Sequence, residues 1–122
     1  MSCLLTISGV VTPYSGQGRK LGYPTANIPC PEDTPEGVFV GYTHLNGKKL
    51  PSFIFVGAPE TIGETLKRAE THIFDFSDKD LYGETITIEV VKKLRNNQKF
   101  DSVDKLLEQM HLDETHARNF FI

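Results

Sequence analysis

Ahead of residue 101 no stretch of this chain repeats its apolar residues at helical spacing; strand-length runs follow one another through turn residues instead. The sharpest of these turns is Asn46-Gly47, set between the apolar runs 37–45 and 50–56. Asparagine and glycine are the residues that best tolerate the positive φ of a two-residue hairpin turn, so the pair predicts two antiparallel strands. Upstream, Leu5, Ile7 and Val11 alternate with Thr6 and Ser8, the pattern of a half-buried strand. Downstream, residues 70–76 read as a short strand, and 85–94 as a longer one with Ile86, Ile88 and Val90 facing in and Thr85, Thr87 and Glu89 facing out. Five or six strands joined by turns, with no helix between them, predict an antiparallel barrel rather than a parallel sheet. The connector carrying Pro29, Pro31 and Pro35 reads as a surface loop. Helical spacing arrives only at the end. Asp101 or Ser102 can cap a helix bearing Val103, Leu106, Leu107 and Met110, and Asp113 can cap a shorter second one bearing Ala117, Phe120 and Phe121.

A chain of 122 residues builds one domain around one core, residues 1–122. The opening MSCLLTISGVV has no cationic stretch and is soon interrupted by polar residues, so it predicts neither a signal peptide nor a membrane span, and a cytoplasmic protein. Cys3 and Cys30 are read as free thiols. A net charge of -3 argues against a nucleic-acid surface, and with no apolar surface strip in evidence a monomer is expected. Any polyphosphate must then be bound by a local cluster of cations.

One such cluster exists in 16–27, GQGRKLGYPTAN. Gly16 and Gly18 let the backbone approach a bound group closely, and Arg19 and Lys20 make the resulting concavity positive. The order is not that of a P-loop or of a dinucleotide fingerprint. Pro24 then biases Tyr23 toward extended backbone, and the Pro-Thr-Ala-Asn turn presents the Thr25 hydroxyl and the Asn27 carbonyl oxygen. Both are hard, neutral oxygens that suit a magnesium ion already carrying nucleotide phosphates. On glycine and proline content alone, the same stretch is a hairpin turn followed by a loop.

The spelling G-x-G-R-K-L-G-Y-P-T-A-N-I closely resembles the signature of the riboflavin kinase family. Glu70-Thr71-His72-Ile73-Phe74-Asp75-Phe76, Asp80-Leu81-Tyr82-Gly83, Leu94-Arg95 and Lys99-Phe100-Asp101-Ser102 resemble its later motifs in the same order, so the likeness covers nearly the whole chain. It implies a small six-stranded Greek-key β-barrel with a C-terminal helix, and transfer of the γ-phosphate of ATP, with magnesium, to riboflavin to give FMN and ADP. It marks Glu70 as the base facing the terminal ribityl hydroxyl, a choice that nothing else singles out among sixteen acidic residues. It implies Arg95 and Tyr23 as flavin-binding residues, Arg95 as a planar cation that can stack or hydrogen-bond and Tyr23 as an aromatic next to the same turn. Gly16, Gly18, Arg19, Lys20, Thr25 and Asn27 form the nucleotide set, with Thr25 and Asn27 as magnesium ligands. His72 shares Glu70's strand face but is expected to be structural, and Asp75 and Asp80 to be turn residues. Because the first strand begins almost at Met1, the resemblance is to a stand-alone kinase whose end product is FMN. A catalytically inactive flavin- or nucleotide-binding module of the same fold is the alternative, and a β-barrel adaptor would need a basic stripe or aromatic platform that is not apparent.

Overall fold

The Asn46-Gly47 turn forms as its residues predict, with φ of 51° and 77°, both on the positive side that a type I′ turn requires. The chain is described by a computed structural model over residues 4–13, 22–58, 66–76 and 81–122. Six strands and one helix follow in order: β1 (Leu5–Val10), β2 (Ala26–Ile28), β3 (Gly37–Leu45), β4 (Lys48–Gly57), β5 (Arg68–Ile73), β6 (Thr85–Arg95) and α1 (Val103–Phe120). Every pairing is antiparallel, in the order β1-β6-β3-β4-β5-β2. The two outer strands meet where the Thr12 amide donates to the Asn27 carbonyl at 2.8 Å, so the sheet is a nearly closed barrel and its free edges are short.

Inside lie Ile7, Ile28, Phe39, Ile54, Val56, Ile86, Ile88 and Val90, supplied by alternate positions of all the strands but one. The remaining strand, β5, contributes Ala69 and Ile73 to the same core. Three buried hydroxyls satisfy one another there: Thr43 bonds Ser52 at 2.8 Å and Thr71 at 2.7 Å. Along β6 the pairing with β3 slips twice, once between Val40 and Gly41 and once between Val38 and Phe39. The first slip inserts Val91 as an extra residue and sets Lys92 opposite Val40 on the outer wall, which keeps its charge out of the core.

The C-terminal segment departs from its reading. It is one continuous helix, capped by Ser102, whose hydroxyl accepts from the Lys105 amide at 3.2 Å. Asp113 is no cap: it lies in the middle of α1 and is buried, because the helix needs no new start there and the carboxylate has a cation to meet. The strand expected over 70–76 is also displaced. β5 begins at Arg68 and ends at Ile73, where Phe74 and Asp75 turn the chain with Asp75 at φ 56°. The expected turn at 24–27 is half replaced by a strand, since Ala26 and Asn27 belong to β2.

α1 packs on the outer wall over Val40, Phe53, Phe74 and Tyr23, with Ala117 fully buried where the helix comes closest. Among the described residues no helix is long and apolar enough to cross a membrane.

Close approach sets one testable limit on this barrel. A Cβ added at Gly41 would lie 1.9 Å from the Glu89 carbonyl oxygen, backbone that cannot move without parting β3 from β6. Gly41→Ala should therefore cost about 1–3 kcal/mol or more of stability, read as a lowered denaturant midpoint.

Candidate active site

Alternation along β5 turns Ala69, Thr71 and Ile73 into the barrel and leaves Arg68, Glu70 and His72 on the outer wall. On one side β2 lies antiparallel with Asn27 directly opposite Glu70. On the other, Phe55 of β4 is opposite Glu70, Val38 opposite Phe55, and Arg95 opposite Val38. Asn27, Glu70, Phe55, Val38 and Arg95 thus form one row across five strands. At the usual strand spacing Glu70 and Arg95 stand roughly 14 Å apart along it.

Glu70 is gripped from two sides. The Thr25 hydroxyl donates to Oε1 at 3.1 Å, and the Arg68 Nε donates to Oε2 at 3.1 Å. The side chains of Arg68 and Glu70 are only 3% and 13% exposed, so this ion pair is shielded from bulk water. Because the threonine proton is directed at Glu70, the lone pairs of its oxygen face away from the carboxylate. Next to it, the Asn27 side-chain oxygen is buried without a hydrogen-bond partner. It is the one buried side-chain polar atom among the described residues left in that state, in a fold that pairs the buried Thr43, Ser52 and Thr71 hydroxyls. An orphan carbonyl oxygen beside a threonine oxygen is a donor set that fits a hard divalent cation, and no cluster of three His, Cys, Asp or Glu occurs among the described residues.

The other expected site residues are distributed unevenly. Gly16, Gly18, Arg19 and Lys20 lie outside the described residues, as does Asp80. Tyr23 is only 4% exposed and sits under α1, edge-on to Phe53 and His72. Its hydroxyl donates to Glu114 Oε1 at 2.9 Å and lies 2.6 Å from His111 Nδ1, which must then be the donor of that second bond. Burial, reinforced by the Glu114 carboxylate, pushes the Tyr23 pKa far up and keeps that proton in place. Arg95 is at the far end of the row, but its fork is spent on Asp113, Nε to Oδ1 at 2.8 Å and Nη2 to Oδ2 at 2.7 Å. Gln109 donates to the same carboxylate at 3.0 Å, and the Arg95 guanidinium stands 5.9 Å from the Phe100 ring centre. What remains of Arg95 for a ligand is its planar face rather than its fork. His72 is half-buried in the aromatic wall, its Nδ1 2.9 Å from the Pro24 carbonyl, and Asp75 is an exposed turn residue paired with Arg118 at 3.3 Å.

Two participants escaped the sequence. A three-residue strand such as β2 is too short for periodicity to reveal. Arg68 falls just outside a strand read as starting at Glu70, although its i, i+2 spacing would have put it on the same face had the start been known.

The comparisons with known proteins cover the same ground. The family model for riboflavin kinase, Flavokinase, matches residues 2–121. The chain is 38% identical over 118 residues to the bifunctional riboflavin kinase/FMN adenylyltransferase of Escherichia coli K12, a match spanning 94% of this chain and 37% of that protein. A solved structure titled as a macrolide-efflux protein from Streptococcus pneumoniae superposes with a TM-score of 0.79 at 36% identity, over 94% of this chain and 38% of that one. Riboflavin kinase from Trypanosoma brucei superposes with a TM-score of 0.66 at 22% identity, over 94% of this chain and 78% of that one, a likeness of fold.

Two outcomes test this geometry without any substrate. Asn27→Leu removes an unsatisfied buried oxygen, so stability should hold or rise by about 1 kcal/mol in chemical denaturation, where an ordinary buried polar residue would lose that much or more. Burial holds the His72 pKa below its ordinary 6.5, against the opposing pull of the Pro24 carbonyl. The unfolded chain therefore binds that proton more tightly, and stability should decline as pH falls through about 6.5. Denaturation of His72→Phe at pH 8 and pH 5 should show a smaller decline than the parent.

Proposed function

The chain belongs to the riboflavin kinase family, and on that premise we propose that it transfers the γ-phosphoryl group of ATP to the terminal ribityl hydroxyl of riboflavin, giving FMN and ADP. The observation that carries this reading is the Thr25–Glu70–Asn27 group: a carboxylate held by two donors, beside two neutral oxygens of which one is buried and unpaired. In the reaction the ribityl oxygen bonds to the γ-phosphorus as the bond from that phosphorus to the β,γ-bridging oxygen breaks. The hydroxyl proton passes to a Glu70 oxygen, and the bridging oxygen leaves on ADP. Phosphoryl transfer of this kind has a loose transition state, so the protein contributes positioning and charge more than base strength. A glutamate fixed at both oxygens suits that demand.

Thr25 and Asn27 are the residues that would hold magnesium, which when bound neutralises phosphate charge. Gly16, Gly18, Arg19 and Lys20 complete the phosphate cradle in this reading. The flavin lies along the row from Glu70 over Phe55 toward Arg95, whose planar face is left for the ring system. The row's span of roughly 14 Å accommodates a ribityl chain and the adjoining ring. The acidic balance, a net charge of -3, supports a partner list of riboflavin and ATP without nucleic acid, and the same reading has a monomer acting in the cytoplasm.

Purified protein with riboflavin, ATP and magnesium should form FMN, separated by chromatography. Glu70→Gln should slow turnover by roughly 10²–10⁴-fold with riboflavin affinity, read by fluorescence quenching, unchanged. Turnover at the parent rate would take Glu70 out of the chemistry. Thr25→Val and Asn27→Leu should instead raise the magnesium-ATP concentration needed for half-maximal rate, and equal rates across a magnesium titration would remove them as ligands.

A further inference from the structure

Arg68 is a buried cation on the face of β5 that carries Glu70. Two residues before Glu70 on the same face of β5, it is 3% exposed, and it meets the carboxylate through Nε rather than through the tip of its fork. A guanidinium so enclosed is out of reach of a polyphosphate arriving from solvent, and its burial is tolerable because an anion is within bonding distance. From the other strand Thr25 supplies the second donor. With one donor alone, a carboxylate turns about its last side-chain bond and presents either oxygen. With one donor on each oxygen, its plane is fixed.

We infer that Arg68 is a positioning residue for the phosphoryl transfer: it locks the plane of the Glu70 carboxylate, with Thr25, so that the base meets the attacking hydroxyl in one orientation. The inference rests on the kinase reading and adds to it a residue that contacts neither substrate. It explains why the carboxylate can be well placed although β5 is the next-to-last strand of the sheet, supported on that side only by three residues of β2. The identity of the donor atom matters. Nε is close to the backbone on a stem held by the wall of the barrel, and a lysine has its only donor one bond farther out.

The test is a double-mutant cycle read by steady-state kinetics, with parent, Arg68→Met, Glu70→Gln and the double variant compared for kcat, for KM of riboflavin and ATP, and for thermal unfolding. Arg68→Met should lower kcat by roughly 10- to 100-fold, the usual cost of a misplaced catalytic group, with both KM values within about twofold. On the Glu70→Gln background the same change should have almost no further effect on kcat, because there is no longer a base to orient. A loss that persists in full on that background, or one that appears in KM alone, overturns the inference, as does a kcat equal to the parent's. Should Arg68→Met not fold, Arg68→Lys decides: kcat several-fold below the parent at unchanged KM supports the positioning role, and a parental kcat overturns it. A parent protein that forms no FMN removes the kinase reading and this inference with it, whereas FMN formation with an unaffected Arg68→Met removes the inference alone.

Discussion

The candidate site depends on the pairing of three residues, Ala26–Ile28, with Ala69–Thr71 of β5. A strand this short has almost no stability of its own. It persists because Ala26 and Ile28 bury their side chains in the barrel core and because the Asn27 carbonyl receives the Thr12 amide from the β1 side. One short ladder thereby closes the barrel and puts Asn27 opposite Glu70, with Thr25 within reach of the same carboxylate. Fold and site share this constraint, so a change that loosened β2 would open the barrel seam and part the Thr25 and Asn27 oxygens from the Glu70 carboxylate together.

A second set of contacts secures the wall behind the site. α1 is held toward its C-terminal end by Ala117 and the aromatic cluster, and flanked by polar groups on both sides. On one flank Asp113 takes Arg95 and Gln109, and on the other Tyr23, Glu114, Arg118 and Asp75 form a chain of hydrogen bonds. Arg118 also stands 4.5 Å over the Phe74 ring. Desolvation raises the Glu114 pKa, but the donors Arg118 and Tyr23 outweigh it and hold the carboxyl below its ordinary value. Charges that would be costly under a helix are paired, and the helix is left with one seating on the barrel.

Against this background the unpaired Asn27 oxygen is an exception with a meaning. The molecule satisfies the Thr43, Ser52 and Thr71 hydroxyls in its interior and gives both Asp113 oxygens a donor at the helix. Leaving one carbonyl oxygen unbonded costs stability that a bound cation would recover. The cost falls beside Glu70, where the proposed chemistry needs a hard ligand.

How much of this was legible beforehand follows from the range of the forces involved. The Asn46-Gly47 hairpin, the alternation in β1 and β6 and a helix start at Asp101 or Ser102 are set by residues a few positions apart, and the sequence by itself determined them. The order of the family motifs likewise determined the membership and pointed to Glu70, Thr25 and Asn27. Their assembly did not follow from any local pattern. Asn27 and Glu70 are far apart in the chain and meet only through a strand too short to show a period. Asp113 looked like a cap because aspartate favours helix starts, and only the approach of Arg95 from β6 made it a buried counter-ion. The packing of Tyr23 beneath α1, with its hydroxyl on Glu114, likewise had no local signal. Arg68 gave no signal until β5 was seen to begin with it. Local preferences act through neighbouring residues and can be read in order, whereas pairing, burial and the balance of buried charge depend on which distant surfaces meet, and the tertiary structure alone decided those.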